Sequence, residues 1–89
     1  MTERPFVLLT QDDCPSCERL KKMLAGPLKG QFDGQIEVVH RQHHPEAFSW
    51  WAQQHRIQSV PALLRRDGEV MRGTGGLGEV RGFLQQIGP

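Results

Sequence analysis

Phe6-Val-Leu-Leu-Thr-Gln-Asp-Asp-Cys-Pro-Ser-Cys17 is the stretch on which the reading of this chain turns. Residues 6–9 form a short, unbroken apolar run, the pattern of a buried strand. Residues 10–13 are polar and deliver the chain to Cys14-Pro15-Ser16-Cys17. Asp13 is read as a helix N-cap. Pro15 suits the first helical turn, where its missing N–H is not needed. Apolar residues then recur at Leu20, Met23, Leu24 and Leu28, the 3,4 spacing of an amphipathic helix. Two cysteines therefore sit at the junction between a strand and a helix.

That position controls their chemistry. The attacking species in thiol chemistry is the thiolate, and the positive end of a helix dipole favours it. Cys14 is expected at the helix start with an exposed sulfur, and Cys17 one turn inside, better shielded. Cys14 would attack a substrate disulfide, and Cys17 would resolve the mixed disulfide and leave Cys14–Cys17 oxidised. A purely structural bond explains the pair poorly. Closing so short a loop removes little entropy from the unfolded chain, and a reducing cytosol would not keep it closed. Cysteines at this spacing more often bind metal or do redox work.

Outward from this core, Gly26-Pro27 must end or disturb the first helix, and residues 29–34 read as a loop. Ile36-Glu-Val-Val39 is a second strand, and residues 40–45 are a polar turn. Pro45 opens a second helix with Ala47, Phe48, Trp51 and Ala52 on one side, which places Trp51 inside. Residues 57–61 lead into a third strand, Ala62-Leu-Leu64. Asp67-Gly68 is a hairpin signal returning the chain along residues 69–72. A glycine-rich run, 73–78, precedes a last helical stripe of Val80, Phe83, Leu84 and Ile87. The order β-α-β-α-β-β-α predicts an α/β fold with a four-stranded mixed sheet and helices on both faces. The 89 residues are read as one domain.

Ser59-Val60-Pro61-Ala62 is the second telling segment, because a proline entering a strand suits a special turn or a cis bond. With Cys14-Pro15-Ser16-Cys17 upstream, and with 57–64 followed by Asp67-Gly-Glu-Val70, the chain resembles the thioredoxin fold superfamily at the size of a glutaredoxin. The resemblance runs over nearly all of 6–87. It implies that Cys14 is the nucleophile and Cys17 the resolving thiol, and that Pro61 is a cis-proline facing the disulfide. It also implies substrate contacts at Pro15, Ser16 and Val60, the backbone of Val60 pairing with a bound peptide or glutathione, and a flanking glycine site at Gly75 and Gly76. Two departures stand out. Asp13 replaces the tryptophan that thioredoxins place before the first cysteine, and a carboxylate there disfavours the Cys14 thiolate. Gln11 stands where glutaredoxins place a lysine or arginine for a glutathione carboxylate.

The expected function is a thiol–disulfide oxidoreductase, with disulfide-bearing proteins or glutathione mixed disulfides as substrates. Glutathione or a reductase would be the electron donor, and no cofactor would be bound. A glutathione-dependent glutaredoxin and a non-catalytic binding module of the same fold are the alternatives. Net charge of +1, with basic residues interleaved among acids, argues against a nucleic-acid partner. Residues 1–10 do not read as a secretory signal, and no run is long enough to span a bilayer, so a cytoplasmic monomer without membrane association is expected. His40, His43 and His44 are read as a solvated turn rather than as zinc ligands, since Cys17 to His40 is far longer than finger spacing. Pro15 and Gln11 argue against a shared iron–sulfur cluster. Lys21-Lys22 and Arg65-Arg66 are read as solvated faces. The 73–78 run lacks the Lys-Ser/Thr ending of a phosphate loop.

Overall fold

A computed structural model describes residues 4–71 and 76–85 of the chain. Its elements are β1 (Phe6–Thr10), α1 (Pro15–Ala25), β2 (Ile36–His40), α2 (Pro45–Gln54), β3 (Ala62–Arg65), β4 (Val70–Met71) and α3 (Leu77–Leu84). A single 3-10 turn, Asp33–Gln35, leads into β2. The four strands form one mixed sheet in the order β2-β1-β3-β4. β1 runs parallel to β2, and β3 runs antiparallel to both β1 and β4. The α/β class, the element order and the mixed sheet agree with the reading above. Of the last segments, Arg72, Gly73–Gly75 and Ile87 lie outside the described residues.

All five residues of β1 are buried, because side chains alternate between two covered faces. Phe6 and Leu8 point into one apolar layer with Leu20 and Leu24 of α1 and with Val80, Phe83 and Leu84 of α3. Val7 and Leu9 point the other way, into a layer with Val39, Leu64 and Trp51 of α2. One five-residue strand thus anchors both halves of the core. Trp51 is buried, as its side of the helix predicts, and the adjacent Trp50 is 54% exposed.

Thr10 ends β1 with no exposure at all, and its hydroxyl has no hydrogen-bond partner among the described residues. A buried, unpaired hydroxyl is destabilising, whereas valine fills almost the same volume without it. Thr10→Val is therefore expected to raise stability by about 1 kcal/mol in urea unfolding. A loss of stability instead would show that the hydroxyl is satisfied in solution.

The hairpin forms where Asp67-Gly68 stands. Gly68 has φ of 117°, a conformation that side chains rarely adopt, and its N–H donates to the Arg65 carbonyl. Arg65 and Arg66 correct the sequence reading. Neither is a bare solvated side chain, because the turn brings Asp67 and Glu69 within reach of Arg65, and the sheet brings Glu37 within reach of Arg66. Arg65 is the last residue of β3, bonds Asp67 at 2.9 Å and Glu69 at 2.8 Å, and holds the Asp67 carboxyl below its ordinary range mainly through that hydrogen bond. Arg66 pairs with Glu37 of β2, donates to the Arg4 carbonyl and lies over the Trp51 ring.

Candidate functional site

The β1–α1 junction builds the site. The N-cap is Cys14, not Asp13. The reason lies in the backbone: Asp13 has φ of 54°, in the left-handed region, while Cys14 is extended and Pro15 is the first helical residue. Asp and Asn tolerate that left-handed conformation better than most residues. Cys14 also does what an N-cap side chain does. Its Sγ accepts the Cys17 backbone N–H at 3.1 Å, and its carbonyl accepts the Glu18 N–H that starts the helix. Three residues apart across this turn, Cys14 and Cys17 are joined as a disulfide with their Cα atoms 5.2 Å apart.

The two cysteines are not equally buried. Cys17 is 1% exposed and lies inside the first turn, whereas Cys14 retains 8% exposure. Cys14 is thus less open than its expected exposed sulfur, because the disulfide and a neighbouring loop cover it. That loop is the entry to β3. The Val60–Pro61 bond is cis, and the Val60 carbonyl oxygen lies 3.8 Å from Cys14 Sγ. In the disulfide this is a van der Waals contact, since the sulfur carries no proton. Pro15 is exposed at the start of α1, and Ser16 and Pro61 are half-buried. Gly76 is the N-cap of α3, and Gly75 lies outside the described residues.

The parallel register of β1 and β2 shapes the rim. Thr10 pairs with His40, so the residues following each strand emerge side by side. Asp12 and His40 bond at 2.9 Å. The backbone N–H groups of Gln42 and His43 both point at His40 Nδ1, which makes Nδ1 the acceptor and places the donor proton on Nε2, facing Asp12. His40 is therefore clamped rather than solvated: its side chain is only 12% exposed, with the His43 ring stacked on it at 4.2 Å. His43 and His44 are exposed, as read from sequence. Among the described residues, no three His, Cys, Asp or Glu side chains are placed to share a metal ion.

The same register brings Arg41 to Gln11, with Nη1 donating to the Gln11 side-chain oxygen at 3.1 Å. Arg41 passed as part of a polar turn in the sequence. The signal was present only in combination: an uncharged Gln11, and a basic residue one place past a strand that pairs in parallel with β1. A cavity of about 470 Å³ opens here, lined by Gln11, Arg41, Phe48, Ile57 and residues 58–60.

Asp13 gives the charge beside the cysteines. Asparagine keeps the tolerance for positive φ and removes only the charge, and a unit charge about 6 Å away in water is worth about 0.7 kcal/mol. Asp13→Asn in the reduced protein is accordingly expected to speed Cys14 alkylation by iodoacetamide two- to threefold near neutral pH, on the order of that energy. An unchanged pH profile would show that the carboxylate has no influence on the sulfur.

The arrangement can hold a disulfide, or two thiols, at a helix N-terminus with one cysteine less buried than the other. No helix among the described residues is long and apolar enough to cross a membrane. In comparison with known proteins, the chain matches neither a family model nor a curated protein.

Proposed function

We propose that this protein is a thiol–disulfide oxidoreductase of thioredoxin-like fold, cycling between a Cys14/Cys17 dithiol and the Cys14–Cys17 disulfide. The observation that carries the reading is the bridged pair itself, set across a helix N-cap and first turn with unequal burial. The four-stranded mixed sheet, and the cis bond whose leading carbonyl faces Cys14 Sγ, are compatible with that fold and support the reading.

In the reductive direction, the Cys14 thiolate attacks one sulfur of a substrate disulfide. The substrate S–S bond breaks, a Cys14–substrate bond forms, and the first substrate thiolate leaves and takes a proton from solvent. The Cys17 thiolate then attacks Cys14 Sγ and expels the second substrate thiol. The protein loses two electrons and the substrate gains them. The Cys17 N–H at Cys14 Sγ suits the charged form of that sulfur, since hydrogen bonds to ions are the stronger kind. Two equivalents of glutathione, leaving as its disulfide, or the dithiol of a reductase, which becomes oxidised in turn, return the pair to its reduced state.

The test is a pair of coupled assays that follow NADPH consumption. One uses thioredoxin reductase with insulin; the other uses glutathione reductase, glutathione and a mixed-disulfide substrate. Turnover in either is the expected result, and the active arm identifies the donor. Silence in both, with the fold intact and both thiols titratable, would overturn the enzyme reading in favour of a binding module.

A further inference from the structure

We infer that Arg41 is the substrate-anion site of this centre: it takes a carboxylate carried beside the cysteine that Cys14 attacks, so acidic peptide disulfides are the preferred substrates. The inference rests on the oxidoreductase reading above.

Three observations converge. Arg41 is held in place, by its bond to Gln11 at 3.1 Å and by its guanidinium lying 5.8 Å from the centre of the Phe48 ring. It lines the cavity of about 470 Å³ together with the 58–60 segment. Val60, which lines the same cavity, has its carbonyl 3.8 Å from Cys14 Sγ, so the guanidinium and the reacting sulfur are linked through one lining residue. Arg41 also has no carboxylate partner among the described residues. Arg65 and Arg66, by contrast, are matched with acids of the chain. Asp12, in the loop beside Gln11, is bonded to His40 instead.

The chemistry then selects the ligand. A guanidinium offers five N–H donors in a planar fork that suits a carboxylate, and the bond to Gln11 uses one of them. The half-buried Phe48 ring lies against the guanidinium, and Arg41 lines the cavity with donors that the bond to Gln11 does not use. A peptide with glutamate or aspartate beside its cysteine presents a carboxylate and a disulfide sulfur together. In the reaction that sulfur becomes bonded to Cys14 Sγ, and Cys17 then releases the peptide as a thiol.

Two acetylated tetrapeptide amides test this, identical except for Glu or Gln beside the cysteine, each supplied as its mixed disulfide with 2-thiopyridine. Reduced protein is mixed with each, and the released thiopyridone reports the rate of the exchange. The wild-type protein is expected to react about fivefold faster with the Glu peptide, the size of a partly exposed ion pair. Raising the salt should shrink the preference. Arg41→Gln should remove the preference by slowing the Glu reaction alone, and Arg41→Lys should restore part of it. Equal rates with both peptides in the wild type, or equal slowing of both by Arg41→Gln, would overturn the inference while leaving the oxidoreductase reading intact. Reaction with neither peptide beyond the rate of a free cysteine would overturn both.

Discussion

Replacing Cys14 by serine is expected to reduce disulfide turnover to background, a loss of at least about a thousandfold, of the order seen when a covalent nucleophile is removed. No other described side chain can substitute, since Cys17 is 1% exposed and both cysteines of the chain are in the pair. Cys17→Ser is expected to behave differently. Its Cys14 still attacks, so the first half-reaction survives and a stable mixed disulfide accumulates at Cys14. Mass spectrometry of the variant after exposure to a peptide disulfide checks this. One peptide adduct on Cys14 is the expected product, and an adduct-free protein would reverse the assigned roles.

The second large effect is on stability. Phe6→Ala is expected to cost about 3–5 kcal/mol, because it removes a fully buried ring and leaves a cavity around it. Phe6 is 0% exposed in the strand between β2 and β3, with the Phe83 ring 5.6 Å away. Chains of this size are stable by only about 0.05–0.15 kcal/mol per residue, so the variant should be largely unfolded at moderate urea. Trp50→Ala supplies the contrast. Its ring is more than half exposed, and its removal should change stability by less than about 0.5 kcal/mol. Urea titration of both variants distinguishes a core residue from a surface one.

These effects also mark what could be read in advance. The strands, the helices and the inward turn of Trp51 follow from local periodicity, and the structure places them where the 3,4 spacings and apolar runs did. The cis bond at Pro61 was legible only through the resemblance that Cys14-Pro15-Ser16-Cys17 and residues 57–64 carry together, since a proline at the mouth of a strand is by itself no more than a strand-edge residue. Legibility fades where the determinant is not local. Asp13 carries a good N-cap side chain, yet the cap falls on Cys14, because a backbone angle at position 13 sets where the helix begins. Arg66 looks like surface charge in one dimension, and only the β2-β1-β3 order brings Glu37 and Trp51 to it. Arg41 is the same case at the site. It stands 30 residues from Gln11 in sequence, and the Thr10–His40 register places the two together.

The same geometry separates fold from chemistry. An apolar β1 flanked by two covered faces would form this sheet with or without cysteines at 14 and 17. The proposed chemistry rests on a helix that starts at a cysteine and on a backbone carbonyl beside its sulfur. Mutations in the two layers are therefore expected to act on folding, and mutations along the rim from Gln11 to Val60 on substrate choice.

The most direct test of the central claim is an equilibrium redox titration of the Cys14–Cys17 pair in graded thiol–disulfide buffers, read by trapping free thiols. A pair that cycles should have a potential between about −120 and −270 mV, the span of known dithiol oxidoreductases. A value below about −300 mV, where structural disulfides lie, would contradict the account.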